Sequence, residues 1–206
     1  MVDGGQMGRQ KHTVHGLVEF DITRAREAIR QHRIQTGEAL SFSAFFLACL
    51  GKAIDLDKQM HAYRNWRNQL ILFEEIRAFQ TGHASSQESK FIEWFVQLPG
   101  FFRRLFLWAL FKNPRLIKEY YGTVLVTSVG MFGTGSGWGI PVSNHTLQLT
   151  LGGIGEKPGV VDRRIEIRKY LSVTISFDHD IIDGAPVARF IQRLKELIES
   201  GYGFSD

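Results

Sequence analysis

At 206 residues, with 44% apolar and 22% charged positions, the chain reads as one globular domain with a substantial core, which excludes a disordered or fibrous polymer. The net charge of +4 is modest, and the basic residues lie on polar helix faces with no aromatic-interleaved basic tract, so no nucleic-acid partner is expected. The single cysteine, Cys49, sits in the apolar run F-F-L-A-C-L, which leaves no thiol for an intrachain disulfide or a multi-thiolate metal site. A buried, inert thiol in a reducing cytoplasm is the expectation, and the polar, glycine-rich opening residues do not read as a signal peptide.

In chain order, residues 1–12 read as a flexible lead-in and residues 13–206 as a single domain. V-H-G-L-V-E-F-D alternates as a strand over residues 13–20. Thr23 opens an Arg-rich helix with Gly37 as its C-cap. Ser41 or Ser43 caps a second helix that runs through Ile54 and is apolar enough to be buried. Short strands are expected at 70–73 and 76–79, divided at Glu74 and Glu75, and a polar linker at 82–89. The aromatic segment 91–111 breaks at Pro99 and Gly100 into two short amphipathic helices, each well under the ~18–20 apolar residues of a membrane span. Core packing is its leading reading; covering a hydrophobic channel, contacting a partner or lying on a membrane surface are the alternatives.

A β-rich run over 123–129 leads into the glycine-rich loop 130–139, which fits neither a dinucleotide nor a P-loop fingerprint. Its glycines are expected to permit close backbone approach and positive φ. Residues 147–151 alternate as a strand that Gly152 and Gly153 should end, and a hairpin signal follows at 160–167 around Asp162 and Arg164. The last helix, from Ala185, carries a clean apolar stripe and stops at Gly201. Helices and strands without regular alternation suggest an α+β fold, a mixed sheet with helices packed on one face.

The segment S-V-T-I-S-F-D-H-D-I-I-D-G concentrates the candidate chemistry. A strand over 171–177 delivers Asp178, His179, Asp180 and Asp183 into a turn, where a histidine is placed for proton transfer. The purely structural alternative is a polar turn with Asp183 capping the helix.

His179-Asp-Ile-Ile-Asp183-Gly184 resembles the active-site signature of the dihydrolipoyl acyltransferases, the catalytic cores of 2-oxo-acid dehydrogenase complexes, a signature shared with chloramphenicol acetyltransferase. G-T-V-L-V-T-S-V-G, G-I-P-V-S-N, L-T-L-G-G-I-G and the hairpin through Asp162 are similar to further family segments, as is V-H-G-L-V-E-F-D-I-T near the start. The resemblance implies a chloramphenicol-acetyltransferase-like α+β sandwich that moves an acyl group between coenzyme A and a dihydrolipoyl-type thiol or other small acceptor. It implies His179 as general base, Thr127 as donor to the oxyanion and Asp183 as architectural support. It further implies no metal and a homotrimer, or an assembly of trimers, in which His179 and Thr127 meet across subunits while an acyl carrier delivers substrate. Cofactor-binding residues are not identified. Without the resemblance, Thr127 is an ordinary strand threonine, and Ser128 is the rival hydroxyl.

Several positions depart from the family pattern. Asp180 stands where the family has arginine, Ser128 where it has asparagine, and His145-Thr146-Leu147 where a P-E precedes the strand. A lipoyl domain with its lipoyl lysine, a peripheral-subunit-binding domain and the family's N-terminal arm are not recognised in these residues. A second reading is therefore an inactive, acyltransferase-like scaffold that binds a partner.

Overall fold

The computed structural model describes residues 12–64, 69–72, 78–81, 99, 101–102, 108, 123–129, 135–142 and 145–204. The expected lead-in up to residue 11, the division at Glu74 and Glu75, the linker at 82–89, most of the aromatic segment 91–111 and the loop start at 130–134 lie outside the described residues. Within the aromatic segment, Phe101, Phe102 and Trp108 are helical and exposed. No helix among the described residues is long and apolar enough to cross a membrane.

The first strand, β1 (Thr13–Asp21), leads into α1 (Thr23–Thr36) and α2 (Phe42–Leu56). Gly37 ends α1 in the left-handed region at φ 77°, and its N–H reaches the Arg33 carbonyl. That conformation is inexpensive only without a Cβ. Ser41, not Ser43, caps α2, accepting from the Ala44 N–H at 3.0 Å. Read as an apolar helix through Ile54 that should be buried, α2 runs on to Leu56 and buries one stripe, Phe45, Phe46, Cys49, Leu50, Ala53 and Ile54. One side of the helix packs and the other meets water, so its apolar composition overstated its burial. Burial pushes the Cys49 thiol up to about 12, in keeping with an inert cysteine.

A 3-10 turn (Lys58–His61) and a separate two-stranded pair, β2 (Tyr63–Arg64) and β3 (Leu70–Ile71), follow. The main sheet adds β4 (Ala78–Thr81), β5 (Val124–Ser128), β6 (Leu147–Val161) and β7 (Arg164–Asp178), and α3 (Gly184–Ser200) closes the fold. Strand order is β1-β7-β6-β5-β4; β7 pairs antiparallel with both neighbours, whereas β5 runs parallel to β4 and β6.

Two expectations are corrected here. Gly152 and Gly153 do not end β6; the strand continues to Val161, with a register shift between Leu151 and Ile154. A Cβ on Gly152 would lie 2.0 Å from the Gly137 carbonyl oxygen, and one on Gly153 would lie 2.0 Å from that of Gly135. The glycines let the loop cross the strand, and the Gly153 N–H donates to the Gly137 carbonyl at 2.9 Å. The hairpin and the histidine-bearing strand are also not separate, because β7 is continuous from Arg164 to Asp178. Asp162 and Arg163, at φ 49° and 63°, form the two-residue turn whose twist matches the strands.

Helices pack on one face of this mixed sheet, as the α+β expectation required. Leu171, Val173, Ile175 and Phe177 of β7 join Phe46, Leu50, Phe190 and Leu194 in the core. The α3 stripe of Val187, Phe190, Leu194 and Ile198 is buried at helical spacing. Each large apolar side chain so buried contributes about 1.5–3 kcal/mol.

Candidate active site

The histidine turn is held from both sides. At the end of β7, the Asp178 N–H donates to the Thr146 carbonyl at 3.0 Å, and the His179 N–H donates to the His12 carbonyl at 2.9 Å. That second bond extends the β1–β7 ladder one rung past Thr13 and Asp178. The chain then folds back, with the Ile181 and Ile182 N–H groups both donating to the Asp178 carbonyl. Asp178 Oδ1 accepts the Asp180 N–H at 3.1 Å, an Asx-type turn. Ile182, 2% exposed, anchors the turn in the core.

His179 is carried exposed at the turn tip, its ring 6.1 Å from that of Phe177. An exposed imidazole on a braced backbone has the geometry of a proton acceptor for an incoming substrate. Asp180 engages the His12 ring, Nδ1 to Oδ1 at 2.9 Å. Asp183 occupies the N-cap of α3 in extended conformation, but its carboxylate makes no cap hydrogen bond. The side-chain cap of the structural alternative is thus absent, and the Asp183 backbone carbonyl accepts the Val187 N–H at 3.4 Å.

Thr127 lies on β5, paired with Thr150 of β6. Val124 and Val126 face the core, so alternation puts Thr127 on the helix-free face and Ser128 back on the helix face. Thr150 in turn pairs with Thr174, five positions before His179. Strand rise and spacing then separate Thr127 from His179 by roughly 20 Å within one chain. The chain does not bring these two residues together.

On the same helix-free face lies a buried polar ladder. Gln148, Thr150, Ser172 and Thr174 are 0–3% exposed, and Gln148 Oε1 and the three hydroxyls have no hydrogen-bond partner among the described residues. Each such group costs about 1–3 kcal/mol when left unsatisfied. Ser176 beside them bonds His15 Nδ1 at 2.8 Å. Trp138, from the glycine-rich loop, reaches the Val18 carbonyl at 3.4 Å and lies under the Lys157 ammonium, itself paired with Glu19. Gly135, at φ 93°, supplies the positive φ expected of that loop. No cluster of metal-ligating side chains is found among the described residues.

The sequence places Asp178 in the turn without marking it as its buried brace, and does not single out His12. Asp178 could have been recognised as the buried member of the alternation Ser172, Thr174, Ser176, Asp178. His12 carries no local signal, because it meets Asp180 across 168 positions of sequence.

Residues 117–203 match the 2-oxoacid dehydrogenases acyltransferase (catalytic domain) family. The dihydrolipoyllysine-residue acetyltransferase component of the Acholeplasma laidlawii pyruvate dehydrogenase complex is 41% identical over 80 residues, 37% of this chain and 14% of that protein. The mitochondrial dihydrolipoyllysine-residue succinyltransferase component from Homo sapiens is 31% identical over 91 residues, 43% of this chain and 20% of that protein. The matches therefore span only about a fifth or less of those relatives' lengths. Among solved structures, a probable dihydrolipoamide acetyltransferase from Listeria monocytogenes superposes with a TM-score of 0.71 at 21% identity, covering 98% of this chain and 91% of that one. The cubic core of a pyruvate dehydrogenase multienzyme complex gives 0.69 at 15% identity, covering 98% and 88%. Chloramphenicol acetyltransferase gives 0.50 at 12% identity, covering 95% and 94%, so the fold is the expected chloramphenicol-acetyltransferase-like one.

Proposed function

From the premise that residues 117–203 carry the acyltransferase catalytic domain of the 2-oxoacid dehydrogenase family, we propose that this protein moves an acyl group between coenzyme A and a thiol of the dihydrolipoyl type. His179 removes the acceptor thiol's proton, which a thiol of reference pKa ~8.5 mostly retains at neutral pH. The thiolate sulfur attacks the thioester carbonyl, and its electron pair moves onto oxygen. The Thr127 hydroxyl donates to that oxyanion, an effect typically worth about 3 kcal/mol. Collapse expels the coenzyme A thiolate, which recovers the proton from the imidazolium. No covalent protein intermediate is needed.

The carrying observation is the braced turn that presents His179 to solvent on the family's signature. The distance between Thr127 and His179 within one chain supports a complete site only between subunits, with His179 of one copy facing Thr127 of another in a trimer or an assembly of trimers. Transfer from acyl-coenzyme A to dihydrolipoamide is the decisive assay. His179→Ala should lower kcat by about 10²–10⁴-fold without lowering the melting temperature. Wild-type protein that transfers no acyl group to thiols, alcohols or amines would sink the reading.

Asp180 in the family's arginine position, and Asp183 without a cap bond, favour a second reading as a non-catalytic scaffold. Calorimetric titration with coenzyme A separates the two, since a scaffold gives no binding. Native mass measurement tests the trimer.

A further inference from the structure

The Arg-rich face of α1 takes no part in the acyl-transfer chemistry. We propose that the groove between α1, the turn into α2 and the base of β7 is a docking site for an acidic peptide segment of a partner protein, with one apolar side chain of that segment seated against Leu40 and Phe42.

Arg26, Arg30 and Arg33 follow one another at i, i+4 and i+7, which sets them along one side of α1 over roughly 10 Å of helix. With Lys169, Leu40 and Phe42 they line a cavity of about 570 Å³. Its walls are fixed. The Ile22 N–H donates to the Lys169 carbonyl at 2.8 Å, and the Lys169 N–H donates to Thr23 Oγ1 at 2.8 Å, so the base of β7 is tied to the start of α1. On the far side, Gly37 closes α1 and Ser41 caps α2, which holds the turn between the helices. Phe42 packs against the core, its ring 5.9 Å from that of Phe45. A groove formed before its ligand arrives loses little conformational entropy on binding.

The charges in this groove do not cancel. Glu27 is the one carboxylate in its lining among the described residues, and Arg30 holds it in a two-point contact, Nε to Oε2 at 3.0 Å and Nη2 to Oε1 at 2.6 Å. Lys169 has a loose contact, Nζ to Glu156 Oε1 at 3.6 Å, between two side chains that are at least half-exposed, and such pairs are weak. Arg26 and Arg33 meet no carboxylate among the described residues. Arg26 instead lies over the Phe42 ring, 5.2 Å from its centroid. Three cations are thus spread along the groove, while the one fork that could grip an anion from two points is occupied. A compact phosphate calls for donors that converge. Carboxylates spaced along a peptide match charges spread along a helix. Leu40, 40% exposed beside them, and Phe42 supply the apolar contact that anchors the segment. Lys169 and His179 stand roughly 30 Å apart along β7 and its extension, so docking leaves the histidine turn accessible.

Fluorescence anisotropy of the full chain, with a labelled synthetic peptide of aspartates and glutamates around a central leucine, tests this directly. Binding should be saturable and should weaken with added sodium chloride. Arg26→Gln combined with Arg33→Gln should weaken it about tenfold, and Leu40→Asp about fivefold, with melting temperatures unchanged because all three side chains are exposed. Arg164→Gln, at the distant hairpin tip, should leave it unchanged. The peptide with its acids replaced by amides, or its leucine by glycine, should bind at least about fivefold more weakly. No saturable binding, equal binding of the amide peptide, or wild-type affinity in the double glutamine variant overturns the proposal. Displacement of the peptide by an equal concentration of inorganic pyrophosphate also overturns it, and makes the groove a small-polyanion site. Should the double variant fail to fold, Lys169→Gln takes its place: about a threefold loss supports the groove, and unchanged affinity overturns it. None of these readouts depends on acyl transfer, so an inactive protein leaves the test intact.

Discussion

The two faces of β7 are equally inaccessible and chemically opposite. Leu171, Val173, Ile175 and Phe177 are at most 5% exposed against the helices, and Ser172, Thr174, Ser176 and Asp178 are at most 3% exposed on the other side. The first set is buried because its transfer from water stabilises the fold. The second loses hydration, and the Ser172 and Thr174 hydroxyls find no partner among the described residues. A strand selected only for stability would not carry that cost. The helix-free face is thus polar as well as buried, and it is also the face that bears Thr127.

The largest test of this contrast is on the helix side. Phe190→Ala removes a fully buried ring and should cost about 3–5 kcal/mol in chemical denaturation. If the loss is under about 1 kcal/mol, the helix face is not the stabilising one. Thr174→Val examines the opposite face, replacing an unpartnered hydroxyl by a methyl. It should raise stability by about 1 kcal/mol, and a fall of similar size would mean that ordered water satisfies the ladder.

A smaller effect is expected at the sheet edge, where Asp21 accepts from Arg168 Nε at 2.7 Å and from the Thr23 N–H at 2.9 Å. Burial works to raise the Asp21 pKa, but the Thr23 and Arg168 hydrogen bonds outweigh it and hold the carboxyl below its ordinary value. A lowered folded-state pKa means that this contribution is complete above the unfolded value of ~3.9 and is lost as pH falls through the folded one. Asp21→Asn should thus cost up to about 1 kcal/mol at pH 7, with the difference from wild type shrinking below about pH 4 in acid denaturation. The smallest effect belongs to the hairpin tip, where Ile165 is 78% exposed. Ile165→Ser should change the stability of the isolated chain by no more than about 0.5 kcal/mol. A larger loss in concentrated protein alone would place that residue in a contact between copies.

Local chemistry was legible wherever one short segment decides the outcome. Gly37, Ser41 and Gly201 cap helices as expected because capping involves only the nearest few backbone groups. The turn at Asp162 and the stripe of α3 were equally readable, and the signature around His179 led to the family that residues 117–203 match. Gly152 and Gly153 misled because glycine punctuates strands in isolation, whereas here it admits a crossing loop that is remote in sequence. Asp183 holds the N-cap position, but backbone geometry alone does not oblige its carboxylate to bond.

The sequence by itself therefore determined the α+β class, the element types, the caps and the histidine turn, since these follow from periodicity, glycine conformation and a contiguous motif. Tertiary structure alone decided that β6 runs through its glycines, that Thr127 and His179 stand far apart in one chain, and that His12 takes hold of Asp180. Each of those depends on strand register or on contacts between distant segments, which only the packed sheet brings into reach.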